Sequence, residues 1–313
     1  MNKSLLPYST AFMLLSATLF GKGISTTIAP EYMAILAVPD VYVAGDFGLI
    51  KNGVLQDGYG PASSVFVIGN DVYVAGYRHS AEKTQIATVW KNGVAHSLGD
   101  GINPSGAKAV FVWGDDVYVA GWEKNSRGQD AARFWKNGVA QNIPNGYTAN
   151  SVFVSDGEVY VAGSFGLYKN GTLQGGHGWL TSVFVSGGVA YATGYDDWRA
   201  SLWRNGTGRA IGGTHTCAES VFVMGEDVYT AGWNQATSDQ VRPRAAVMWK
   251  NGRAQVLSDT RYESRANSVF VSGDDVYVAG RENNAEGLPI AILWKNGVKQ
   301  ILGNGEANAV FVK

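Results

Sequence analysis

The chain has 313 residues, 45% of them apolar and 16% charged, which is enough to bury a sizeable core and excludes a disordered or fibrous protein. Its 26 acidic and 25 basic side chains leave a net charge of −1, so no global field exists to draw in nucleic acid or an anionic membrane. Cys217 is the single cysteine, which excludes an intrachain disulfide, a CxxC redox pair and a thiolate-rich zinc site. Glycine is the outlier: 41 residues, nearly twice the usual share of ~7%, point to many tight turns.

Residues 1–37 are expected to be an export signal and a linker. Lys3 precedes the apolar run 11–20 (AFMLLSATLF), which has the charge, length and position of a secretory signal peptide and is too short to span a bilayer. Residues 21–23 and 27–29 are imperfect cleavage sites, so the mature start is expected between residues 22 and 38. No cysteine lies near the signal to carry a lipid anchor, and no later segment is long and apolar enough for a membrane span. The expected location is secreted or periplasmic.

From Val41 onward, seven copies of one repeat account for the chain. Val-Tyr-Val-Ala-Gly, first at Val41–Gly45, recurs with small changes and ends at Gly76, Gly121, Gly163, Gly194, Gly232 and Gly280. Each copy continues to Lys/Arg-Asn-Gly, with its asparagine at 52, 92, 137, 170, 205, 251 or 296. It then reaches Ser/Ala-Val-Phe-Val, beginning at 64, 109, 151, 182, 220, 268 or 309. The 273 residues from Val41 to Lys313 make seven copies averaging 39, close to the ~40–45 of four-stranded propeller repeats.

Each copy predicts four strands. Strand A (Ser-Val-Phe-Val) and strand B (Val-Tyr-Val-Ala-Gly) are β-branched and aromatic on both alternating faces, as in strands covered by a sheet on either side. Strand C ends in Trp-Lys-Asn-Gly, a strong hairpin signal because both turn residues tolerate positive φ, and a short strand D follows. The prediction is an all-β, seven-bladed β-propeller of four-stranded antiparallel blades over residues 38–313. A ring leaves only short protected edges, whereas an open solenoid would need polar capping repeats at both ends. The copies enter at strand B (Val41) and stop after strand A (309–312), so the C-terminal strand is expected to complete the first blade. The segment 33–36 starts at Met33, eight residues before Val41, and is the rival for that slot.

On these motifs, residues 41–313 resemble exported bacterial propeller proteins whose repeats carry the same Val-Tyr-Val-Ala-Gly, Trp-Lys-Asn-Gly and Ser-Val-Phe-Val elements. The resemblance implies a propeller and an extracytoplasmic setting, and it transfers no catalytic residue. The Gly-His and Trp-Asp of WD40 blades, the regular Gly-Gly of kelch repeats and the sialidase Asp-box are missing from these repeats.

Loop lengths separate two faces. Strand A leads to strand B in eight residues in all six uninterrupted cases, whereas the step from the strand B glycine to the hairpin Lys or Arg takes 6, 15, 15, 6, 10, 18 and 15. One face is therefore a uniform base and the other a variable rim, and variable loops on a rigid frame are where binding groups usually sit. The candidate ligand-binding residues on the rim are Tyr77, Trp122, Trp179, Tyr195, Trp198, Trp233 and Arg281, because aromatic faces beside polar donors suit sugar rings. Trp122 and Trp233 have an alternative role as extensions of the packing between blades. Trp90, Trp135, Trp203, Trp249 and Trp294, at one strand C position, are expected in the core. A second ring just before strand A, comprising Lys108, Asn150, Glu219, Asn267 and Asn308 with Ser63 and Thr181, is expected at the mouth of the central channel. There the asparagines could equally satisfy backbone groups in the turn into the strand.

Catalysis finds little support. His177 and His215 could join Glu219 at a metal, but no close-spaced ligand motif accompanies them, and the adjacent Asp196 and Asp197 are poorly placed to flank a scissile bond. Neither a metal nor a cofactor is expected. The predicted function is an exported, non-enzymatic binding module with carbohydrate as the leading ligand class. The alternatives are a protein-interaction scaffold and a propeller glycoside hydrolase or polysaccharide lyase.

Overall fold

The computed structural model describes residues 38–174, 178–235 and 243–313. The expected signal segment, the rival closing segment at Met33 and His177 lie outside them. The described residues form 28 strands, β1 (Val41–Gly45) to β28 (Ala307–Val312), in seven four-stranded antiparallel sheets. Among the described residues no helix is long and apolar enough to cross a membrane.

The C-terminal strand closes the ring. β28 pairs antiparallel with β1 in the register Val41↔Val312, Tyr42↔Phe311, Val43↔Val310 and Ala44↔Ala309, and so supplies the missing strand of blade 1. Each of the other six blades is four strands consecutive in sequence. The strand C tryptophans Trp90, Trp135, Trp203, Trp249 and Trp294 are buried between blades.

The uniform base has a repeated lock that explains why Asp, Tyr, Lys and Asn recur together. In blade 2, Asp71 accepts from Lys91 Nζ (2.8 Å) and from Asn92 Nδ2 (2.8 Å), while Asn92 Oδ1 accepts from the Val72 N–H (2.8 Å). The lock joins the turn between strands A and B to the hairpin between C and D. Lys91 also lies over the Tyr73 ring at 5.3 Å. Asp40, Asp116, Asp227 and Asp275 repeat the arrangement, Glu158 does so in blade 4, and the lysine and asparagine hold the aspartates below the usual carboxylate range. Blade 5 departs from it. Val189 stands where the acid would be, and Arg204 rests on the Tyr191 ring at 5.6 Å.

Strand A differs from the expectation that both its faces meet neighbouring sheets. Its valines, such as Val110 and Val112, are buried between blades, but Phe111 between them is only half-buried. The seven equivalents, Phe66, Phe111, Phe153, Phe184, Phe222, Phe270 and Phe311, touch in an unbroken circle with centroids 4.6–5.3 Å apart. Their tilted contacts suit the ring quadrupoles. They form an apolar collar around the central channel.

Candidate ligand-binding face

In every blade the pairing of strand A with strand B skips one residue: Ser63, Lys108, Asn150, Thr181, Glu219, Asn267 or Asn308. A bulge leaves its extra residue outside the ladder and re-aims its side chain, so these seven occupy one equivalent position around the ring. The same bulge explains the glycine that ends every strand B. A Cβ on Gly194 would overlap the carbonyl oxygen of Trp179, and one on Gly232 that of Cys217.

Four of the seven serve the frame. Asn150 Nδ2 donates to the Leu180 carbonyl (2.7 Å), Thr181 Oγ1 to that of Ala218 (2.7 Å), Asn267 Nδ2 to that of Ala307 (3.0 Å) and Asn308 Nδ2 to that of Ala62 (2.9 Å). Each bond reaches the next blade rather than the residue's own turn. Lys108 and Glu219 break this pattern. Lys108 Nζ donates to Asn150 Oδ1 at 3.2 Å, and Glu219 Oε1 accepts from Trp233 Nε1 at 3.1 Å. Desolvation raises the carboxyl of the half-buried Glu219, against the opposing pull of Cys217, Trp233 and Lys108. Loss of hydration lowers the Lys108 ammonium, although the residue as a whole is exposed, against the attraction of Glu219 and Asp130. Burial also pushes the Cys217 thiol up, away from the thiolate form.

The rim candidates divide by blade. Tyr77 stands edge-on to His79 at 5.5 Å, and Trp122 lies against Gly106, where a Cβ would come within 2.8 Å of its Nε1. Neither joins a second candidate. Blade 5 instead gathers three: Trp179 and Tyr195 lie 6.4 Å apart at 14°, and Tyr195 and Trp198 6.3 Å apart at 17°. Trp179 and Tyr195 are direct partners on strands A and B. Trp198 sits in the two-residue turn between Asp196 and Arg199, with φ at +58° after Asp197 at +48°. A bulky side chain in this left-handed region costs about 1–2 kcal/mol. Trp198 is nevertheless 69% exposed, so neither backbone preference nor burial accounts for a tryptophan here. Asp196, Asp197, Arg199 and Arg209 line an open pocket of about 390 Å³ beside the turn.

The face continues onto blades 6 and 7. Burial raises the Tyr195 hydroxyl, with further contributions from the nearby Cys217 and Glu219 of blade 6. Trp233, held by Glu219, lies under the guanidinium of Arg244 at 4.5 Å and near that of Arg265 at 5.8 Å, so it is not a free platform. Arg265 and Arg281 are direct partners across strands A and B of blade 7. With Arg244 they converge on Glu263, at 2.8 Å from Arg281, 3.3 Å from Arg265 and 3.5 Å from Arg244. Arg281 also reaches Glu306 at 3.4 Å and Asn283 at 2.6 Å. Sequence reasoning singled out Trp233 and Arg281 but missed Arg265, Glu263 and Glu306 as their companions. The available signal was position: Arg265 lies two residues before the bulge at Asn267. Among the described residues no group of three or more His, Cys, Asp or Glu side chains is placed to hold a metal ion.

No family model matches the chain, and no curated protein does. Among solved structures, the protein is similar to that of YjhT, at 12% identity and a TM-score of 0.47 over 80% of this chain and 97% of the other. It is also similar to a puromycin-hydrolyzing peptidase of Mycobacterium tuberculosis, at 11% identity and 0.45 over 78% of this chain and 53% of the other. Likeness at this level bears on neither ligand nor chemistry.

Proposed function

We propose that the protein is an exported binding module that takes carbohydrate on its variable face, with the rings of Trp179, Tyr195 and Trp198 as the stacking surface. The observation that carries this reading is Trp198, a large apolar ring held in solvent by a strained turn. Sugars present C–H faces edged by hydroxyls, and such faces stack on aromatic rings beside polar donors. The near-parallel rings, in steps of 6.3–6.4 Å, form an aromatic stack that ends in the exposed Trp198 ring, and Asp196, Asp197 and Arg199 edge it with hydrogen-bonding groups. The apolar run 11–20 behind Lys3 supports export to where such polymers are met.

A protein-scaffold role draws on a different surface. Val298, Val54, Val94 and Val139, each just after an Asn-Gly hairpin, are exposed on the four consecutive blades 7, 1, 2 and 3.

Calorimetric titration of the purified protein and its Trp198→Ala variant with a panel of oligosaccharides tests the carbohydrate reading, with a reducing-end assay on each hit to detect cleavage. The expected result is saturable binding without cleavage, weakened at least about tenfold in the variant, equivalent to about 1.4 kcal/mol. No response to any glycan, or an unchanged affinity in Trp198→Ala, would overturn it.

A further inference from the structure

We propose that blades 6 and 7 carry a carboxylate-recognition subsite built by Arg244, Arg265 and Arg281, so that the glycan taken by this face is an acidic one bearing uronate groups. This inference rests on the carbohydrate reading above and narrows its ligand class.

The argument begins with charge. Arg265 and Arg281 are direct cross-strand partners, an arrangement in which like charges destabilise a sheet. Arg244 brings a third guanidinium to the same carboxylate, Glu263, and Glu306 is the second acid in contact with the cluster. Three guanidinium groups thus contact only two carboxylates directly, with Glu219 set beyond the Trp233 ring.

Unused hydrogen-bonding capacity gives the second argument. Among the described residues Arg265 Nε is buried without a partner, and leaving such a donor unmade is costly. Among the described residues Arg265 donates only through Nη2 to Glu263, while Arg244 reaches the same acid at 3.5 Å and otherwise stacks on Trp233. Planar guanidinium forks match carboxylates in two-point geometry. Glu263 already shows that a carboxylate fits among these three side chains.

Placement gives the third. Trp179 and Arg265 each lie two residues before the bulge of their strand A, paired with Tyr195 and Arg281, and between these blades Glu219 holds Trp233, which lies beneath Arg244 and beside Arg265. The stacking rings of blade 5 and the arginines of blade 7 therefore share the same end of the blades. A glycan stacked on the first can extend its acid groups to the second.

The test compares oligouronates of several linkages with their carboxyl-reduced counterparts, which keep the same linkages but lack the charge. Titrations use the whole protein, Arg244→Gln and Arg265→Gln, with melting temperature as the control for folding. We expect at least one oligouronate to bind ten times or more tightly than its reduced form. Arg244→Gln, at a partly exposed position, should lose most of that preference while keeping both its melting temperature and its affinity for the reduced form, and Arg265→Gln should repeat the loss. Equal affinity for acid and reduced forms, or an undiminished preference in Arg244→Gln, would overturn the subsite and leave the carbohydrate reading standing. Failure of the wild-type protein to bind either form would overturn both.

Discussion

Ser268 Oγ accepts a hydrogen bond from the Val310 N–H at 3.2 Å, fastening the last strand of the chain to blade 7. The same bond links Ser64 to Val110, Ser151 to Val183, Ser182 to Val221 and Ser220 to Val269, at 3.2–3.3 Å. The two remaining blade boundaries have alanine, Ala109 and Ala309, in place of the serine. Ala109→Ser should supply the missing acceptor to Val152 and stabilise the protein by about 0.5–1.5 kcal/mol. Urea unfolding should show a higher midpoint with an unchanged slope, and a lower midpoint would show that the hydroxyl does not fit there.

Ring closure depends on a strand of six residues. Val310 and Val312 are buried, at 5% and 4% exposure, and Phe311 completes the phenylalanine collar between Phe270 and Phe66. Their burial contributes about 4–7 kcal/mol before ordering costs, comparable to the whole stability of many domains, about 5–15 kcal/mol. Deleting residues 309–313 should unfold the ring, seen as loss of the cooperative melting transition. A truncated protein that melts at the wild-type temperature would show that another segment fills the slot.

The Asp197-Trp198 turn should trade stability for binding. Replacing it with Asn-Gly copies the seven base hairpins, where asparagine sits at φ of 47–53° and glycine at 79–82°. The double variant Asp197→Asn with Trp198→Gly should gain about 1 kcal/mol from relief of the left-handed tryptophan and lose glycan affinity. Thermal melts and titrations on the same sample separate the two effects. A variant no more stable than wild type would mean that the turn is unstrained.

Glu219 should make stability fall with rising pH. Desolvation raises its carboxyl in the folded state, so ionisation favours unfolding; the penalty is absent below the unfolded value of about 4.3 and grows as pH climbs through the folded one. Glu219→Gln stays neutral, keeps an acceptor for Trp233 Nε1, and can donate to the Ala266 carbonyl as Asn267 does to that of Ala307. It should melt a few degrees above wild type at pH 8 and alongside it at pH 4. Parallel curves across that range would count against a desolvated, titrating carboxyl.

What the sequence determined by itself was everything written inside one repeat. The Asn-Gly hairpins, the buried strand C tryptophans and the number of blades follow from local backbone preference and from apolar patterning repeated seven times, whereas the choice of 309–312 over the segment at Met33 was open until its pairing with β1 decided it. Tertiary structure decided which side chains meet. A strand's period of two predicts facing only until a bulge resets it, and the skipped residue in every strand A took Lys108 and Glu219 out of the ladder and set Arg265 opposite Arg281. The phenylalanine collar, the serine bonds between blades and the arginine cluster on Glu263 join different copies of the repeat. They arise because radial packing brings the same end of every blade to one axis, and periodicity along the chain carries no record of that convergence.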